Sequence, residues 1–573
     1  MERQRIVYLH VIVFLIFCVS LGFATPMKSD SVLVTQPNGN SIWLIERGDE
    51  YYSWVETTDG YVVLKNADGI YEYAKNVNGV NVPSGISAHN SKSRNNKEIA
   101  FINTLKDKSS ITPSINNYTK LNDIRNQQRA LEIPQSPVIG NRKLLTILID
   151  FSDMEFTKSI SDFYNLMNQT NYIINGSSGS VRDYYLSNSY GKLDIQSMVI
   201  GVYRANNASS YYRRIQGMTN PNTRKLVVEA IDWAATQNID FSLFDGNNDG
   251  YVDGVHLIVA GVPAEELSTL NGIIWPHCST LDTLITKDGK IISQYMFTTE
   301  LQPLGTGHII STIGNICHEL GHILGAPDFY PTNGLNTDSL GTGPWDVMGT
   351  GAYNGVTINN QFIQGSSPAH HNPYTKTEIF KWTNAKSLYT QDKNRTVIVS
   401  ESSSDSIFYK ISTPTNGEYY LIENKRIYPN YLSPDSTNGL LFYHLHSDIT
   451  NSLSNNTVNT SHPQKCYLTN PLLTNTIPGN IHQYGEVLYS EFPSNLDNNE
   501  SIFFTSQSTP RSQSWAGEAT GVDICFIQRD GVNIKFVVNP EIEGPDELCG
   551  NSEDCPGDGG ACAGPCDDRQ GQG

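Results

Sequence analysis

The sequence predicts a multidomain protein: a central α/β domain, a β-rich segment before it and a β-sandwich after it. Three observations predict this. Apolar runs alternate with amphipathic helical patterns between Leu144 and Ala260. Short period-two strands punctuated by Gly-Asp, Asp-Gly and Asn-Gly turns fill residues 41–73. A second set of short strands, divided by Asn, Pro, Ser and Gly, begins near Thr396. At 573 residues the chain has room for several cores. The expected divisions are 1–24, 25–140, 141–392, 393–543 and 544–573.

The first division reads as an export signal. Arg3 and Arg5 precede an apolar run from Ile6 to Phe23, and Gly22-Phe-Ala24 suits cleavage beside small residues. A net charge of −19 and a pI near 5.1 argue against a nucleic-acid partner and suit an extracellular protein. No later segment approaches a membrane-spanning length, so no stable membrane insertion is expected after signal removal. The eight cysteines beyond the signal permit disulfides without specifying their pairing.

Residues 25–140 read as a β-rich pro-region with a linker. Strands are expected at Ser41–Leu44, Tyr51–Trp54, Tyr61–Leu64 and Ile70–Tyr73. Asn90–Gln135 is polar and weakly patterned, which suits an exposed, cleavable linker. Because no cysteine lies between Thr25 and Gly140, a thiolate cannot block a metal from this segment.

The α/β domain should open with the buried strand Leu144–Phe151. A helix from Gly179, a strand Leu193–Val202, a helix Thr223–Gln237 and a strand Val255–Ala260 follow. Between the last two, Asp245, Asn247, Asp249 and Asp253 alternate around Gly250, and the carbonyl of Tyr251 adds an oxygen. Calcium takes such a set, although His256 stands where an EF-hand has its bidentate Glu. An Asx-rich turn is the other reading. Ser293–Leu301 reads as a strand.

The stretch from His318 to Asp328, HELGHILGAPD, carries the chemistry. On a helix, His318 and His322 share a face and can reach one metal ion. Zinc accepts imidazole nitrogen and keeps one position for water, which Glu319 can deprotonate. Ile309, Ile313, Ile316, Leu320 and Leu324 mark a buried stripe, and Ser311, Asn315, His318 and His322 a polar one facing a cleft. Gly325 and Pro327 end the helix, and the turn can bring Asp328 back as third ligand. Asp328 could instead cap its own turn.

HExxHxxGxx followed by His or Asp resembles the metzincin signature. In Gly343-Pro-Trp-Asp-Val-Met-Gly349, the resemblance makes Met348 the candidate for the methionine turn beneath the metal. Tyr353 is a candidate donor to the tetrahedral intermediate, or an ordinary packed residue. The chain resembles the immune inhibitor A family of secreted metalloproteases in GDEYYSWVETTDGYVV, GSVRDYYLSNSYGKLDI, IIWPH, YYLIENK, GLLFYHLH and VNTSHP. That resemblance implies Asp328 as ligand, and protein or peptide substrates. It also implies a metzincin-like zinc protease domain, in which an edge strand pairs with extended substrate. Whether Ser293–Leu301 is that edge stays open. The implied function is a secreted zinc endopeptidase made as a proenzyme. The alternatives are a binding or adhesion protein retaining the fold, and a zinc amidohydrolase acting on a non-protein substrate. His370-His371 is expected at the surface, and His444 and His446 in structural roles.

Overall fold

Alternating apolar and polar residues build the first sheet of the structure, a computed structural model. It describes residues 31–48, 53–77, 80–105, 136–212, 221–263, 274–332, 341–427, 437–446, 448–449, 456–461, 463–469, 503–508 and 510–541. The expected export signal, most of the linker and the cysteine-rich end lie outside the described residues. Strands β1 (Val32–Thr35), β2 (Ser41–Gly48), β3 (Ser53–Thr57), β4 (Val62–Lys65), β5 (Tyr71–Val77) and β6 (Val80–Ser87) pair in chain order. Ile42, Leu44, Val55, Val63 and Tyr73 form the core. The expected strands have counterparts in β2, β3, β4 and β5, with Tyr51 and Tyr52 outside the described residues; β1 and β6 are additional. A linker starting at Asn90 is corrected. Asn95 and Glu98 form a capping box that starts helix α1 (Asn96–Ile102), and Ile102 enters the core of the sheet.

The second sheet contains β7 (Gly140–Asp150), β8 (Leu193–Arg204), β9 (Val255–Val259), β10 (His277–Lys287) and β11 (Lys290–Thr299), in the order β10-β11-β9-β7-β8. β7 is parallel to β8 and β9, β9 is parallel to β11, and β10 runs antiparallel at the edge. The apolar run of β7 is explained by burial on both faces. Leu144 and Leu148 face helices α2 (Ile160–Asn168) and α3 (Val181–Asn188), whereas Leu145 and Ile147 face α4 (Pro221–Thr236). Capping boxes Ser159–Asp162 and Ser180–Asp183 set the starts of α2 and α3. Residues 293–299 of the strand expected at Ser293–Leu301 belong to the internal β11, and the edges of the sheet are β10 and β8.

A hairpin, β12 (Leu301–Leu304) and β13 (Gly307–Ile310), leads into α5 (Ile313–Ile323). Ile309 therefore lies in a strand rather than in the helical stripe. A second hairpin, β14 (Val356–Ile358) and β15 (Gln361–Ile363), follows. Close approach requires Gly314, where a Cβ would stand 2.0 Å from the Ala352 carbonyl oxygen.

Two further sheets complete the chain. One holds β16 (Ala385–Leu388), β18 (Phe408–Ser412), β19 (Glu418–Ile427), β20 (Thr437–His446) and β21 (Cys466–Leu468). The other holds β17 (Arg395–Val399), β23 (Asn533–Val538) and β22 (Ile524–Asp530). Val397, Ile534 and Phe536 pack with Ile411, Ile422 and Phe442 between them. β16 joins this region at residue 385, earlier than the boundary at 393 read from sequence. The opposite face of the larger sheet presents Leu421, Leu441 and Tyr443 to the core that contains Leu320, Trp345 and Met348. The C-terminal sheet and the helix of the two histidines thus share one interior. The chain combines several β-rich sheets with a few helices in a multidomain arrangement. No described helix is long and apolar enough to cross a membrane.

Candidate active site

Helix α5 ends as its sequence requires. Gly325 takes a φ of +100°, its N–H donates to the His322 carbonyl, and the Ala326 N–H donates to the Gly321 carbonyl. This is a Schellman end, and it returns the chain toward the histidine face. Asp328 follows, fully buried.

His318, His322 and Asp328 converge. Nε2 of His318 lies 3.2 Å, and Nε2 of His322 3.3 Å, from Asp328 Oδ1. Among the described residues they form the one group of three or more His, Cys, Asp or Glu side chains close enough to hold a metal ion. The tautomers follow from the second nitrogens. His318 Nδ1 is 2.8 Å from the Val347 carbonyl oxygen, and His322 Nδ1 is 2.8 Å from that of Ala326. A carbonyl only accepts, so each Nδ1 carries the proton and each Nε2 offers a lone pair. Asp328 Oδ1 is buried and accepts no hydrogen bond. An orphaned carboxylate oxygen beside two imidazole lone pairs fits a divalent cation of zinc's ligand preference. Burial opposes the charge of Asp328, and only positive charge on the His322 and His318 side holds its carboxyl well below the usual carboxylate range.

Glu319 is buried next to this group, and burial pushes its carboxyl up to about 8. The charges of His318 and Asp328 act on it in opposite directions, and a backbone hydrogen bond from Cys278 brings β10 to its side. Upstream on the same helix, Asn315 and Ile316 line a cleft with Ser311, Thr298, Gln364 and Tyr353. The polar stripe expected to face a cleft is thus partly there, with Ser311 just before the helix. Tyr353 is mostly buried in the cleft wall.

The support beneath the helix lies far away in sequence. Met348 is fully buried, and its Sδ lies 2.6 Å from where a Cβ on Gly321 would stand. Asp346 holds the turn that carries Met348. Its carboxylate accepts from the N–H groups of Met348 and Asn372, the Asn372 amide and the Thr342 hydroxyl. His371 was expected at the surface and is instead fully buried beneath Gly321, against Tyr185, Phe380 and Trp382. His370 packs on Tyr184. Tyr185 donates to the Cys317 carbonyl at 2.6 Å, tying α3 to α5. Sequence reasoning missed Asp346, His371 and also Asn456, whose amide meets Asp328 from the C-terminal region.

The acidic loop gives no support to the calcium reading. Asp245 forms an ion pair with Lys290 at 2.6 Å and accepts from the N–H groups of Asp249 and Gly250. Asn247 bonds Asp249, Asp249 accepts from the Tyr251 N–H, and Asp253 accepts from the Gly246 N–H. The carboxylates are spent on turn backbone and on a lysine, which is the Asx-rich alternative. His444 is held between Glu418 and Tyr467, and His446 stacks on Trp515, both in structural settings. Cys317 and Cys466 are free thiols, and Cys525 is disulfide-bonded.

Residues 135–383 match the family described as immune inhibitor A peptidase M6, catalytic domain. That region therefore carries the immune inhibitor A peptidase domain. The expected family, and with it a metallopeptidase domain, is borne out. The chain is also similar to the pre-pro-metalloprotease PrtV of two Vibrio cholerae serotype O1 strains, M66-2 and ATCC 39315. Each is 28% identical over 282 residues, covering 41% of this chain and 29% of the relative. The chain thus spans less than a third of the length of these relatives.

Proposed function

We propose that this chain is a secreted zinc endopeptidase that cleaves extracellular proteins and is made as a proenzyme. The carrying observation is the convergence of two Nε2 lone pairs on an orphaned Asp328 oxygen, with Glu319 alongside. His318, His322 and Asp328 would hold the metal. Zinc, when bound, polarises the scissile carbonyl and lowers the pKa of a water toward neutrality. Glu319 takes the proton of the attacking water and passes it to the leaving amine.

The backbone of β10 supports substrate placement. It is the antiparallel edge of its sheet and runs beside Glu319. An extended peptide pairing with it would bring a scissile bond to the base, while the cleft lined by Asn315 and Tyr353 would take a side chain. Met348 beneath the histidine helix supports a metzincin-like arrangement. The apolar run at residues 6–23 supports export, and the compact β1–β6 sheet supports a removable pro-region.

The test is metal dependence. Chelation of the activated protein should abolish casein cleavage, and about one equivalent of zinc should restore it. Cleavage persisting in protein shown to be metal-free would overturn the reading.

A further inference from the structure

The carboxylate of Asp328 is gripped from the C-terminal half of the chain. Asn456 lies between β20 and β21. Its Oδ1 accepts from the Asp328 N–H at 2.6 Å, and its Nδ2 donates to Asp328 Oδ2. The reverse amide orientation would set N–H against N–H and oxygen against carboxylate, so the network assigns it. The φ of Asn456 is +52°, a left-handed conformation that Asn tolerates better than most residues. Its own carbonyl accepts from the Thr332 hydroxyl. Asn459, three residues on, donates to the Phe329 carbonyl at 2.8 Å, and its Oδ1 accepts from the N–H groups of Lys465 and Cys466. The turn after α5 is therefore clasped to the start of β21.

We propose that Asn456 is the positioning residue for the third metal ligand, which makes the turn at residues 456–461 part of the metal centre. The inference rests on the metal-site reading above. A free carboxylate offers either oxygen by rotating about its last bond. Once Oδ2 is fixed on the Asn456 amide, only Oδ1 faces the two Nε2 atoms, and it is the oxygen left without a hydrogen bond. The short amide is suited to this because it presents one acceptor and one donor to the backbone and carboxylate of a single residue. Aspartate at 456 would set an oxygen against Oδ2, and glycine would keep the backbone conformation and lose both bonds.

The experiment measures zinc retention by the full chain against chelators of graded strength, with metal content read by mass spectrometry. Near-ultraviolet circular dichroism in excess zinc reports folding. Asn456→Gly and Asn456→Asp should each weaken zinc retention roughly 10- to 100-fold, the usual range for loss of a group that orients a ligand. Thr332→Val, which loosens the same clasp without touching the carboxylate, should retain zinc like the parent. If the glycine variant does not fold, the near-isosteric aspartate variant decides. Parent-like retention in a folded Asn456 variant, with Asp328→Ala losing zinc, overturns this inference alone. Parent-like retention by Asp328→Ala overturns the ligand assignment itself. Equal weakening by Thr332→Val and Asn456→Gly would place the effect in loop packing and overturn the positioning role.

Discussion

Met348 occupies the space that a side chain at Gly321 would need: its Sδ stands 2.6 Å from an ideal Cβ there, and His371 Cε1 stands 3.1 Å away. Gly321 lies between His318 and His322 in the sequence of the helix, so a displacement of the backbone there shifts both imidazoles. Gly321→Ala should cost about 1–3 kcal/mol through overpacking, despite alanine's higher helix propensity. Zinc retention should fall with it. Thermal unfolding with and without zinc checks this. A variant more stable than the parent, with unchanged zinc binding, would show that the methionine turn does not brace the helix.

His256 predicts an acid limb of stability. It sits on β9 between the hydroxyls of Thr146 and Thr298, fully buried, and burial pushes its imidazole down to about 3. The unfolded chain takes up this proton near the ordinary value of about 6.5, whereas the folded chain resists it. From pH 6.5 down to about 3 the unfolded state therefore binds more protons, and stability falls as pH falls. His256→Gln keeps an amide for the two hydroxyls and removes the titration. It should lessen the stability lost between pH 7 and 4 by a few kcal/mol, on the order of 1.4 kcal/mol per pH unit. Urea midpoints at the two pH values measure the difference, and equal losses in parent and variant would contradict it.

Activation should require a cut. The intact protein should be silent on casein and gain activity as a new N-terminus forms between residues 106 and 139. The upper bound preserves β7, which starts at Gly140. The lower bound comes from α1, since Ile102 is part of the core of the first sheet. Following activity and N-terminal sequence over time tests this. Full activity of the uncut chain would make the β1–β6 sheet a permanent accessory domain.

Much of this was legible because the signals were local. Strand and helix periods, the Gly325 stop and the HExxH spacing lie within a few residues of the features they specify. β7 announced itself because burial on both faces leaves no polar period. Ile309 was misread because an apolar residue four before Ile313 satisfies helical spacing whether or not the chain is helical there. His371 and Asn456 could not be read at all. Each owes its role to a neighbour distant in sequence, Gly321 for one and Asp328 for the other. The acidic loop shows the converse. Its spacing suits calcium, but Lys290, on another strand, neutralises Asp245.

The separation of ligand from base gives the sharpest test. Glu319→Ala should bind zinc as the parent does, because His318, His322 and Asp328 are untouched. After activation, its casein turnover should fall by about 10²–10⁴-fold, the usual worth of a general base. Zinc stoichiometry and initial rates on the same samples decide the matter. Full zinc with turnover near the parent's would contradict the mechanism.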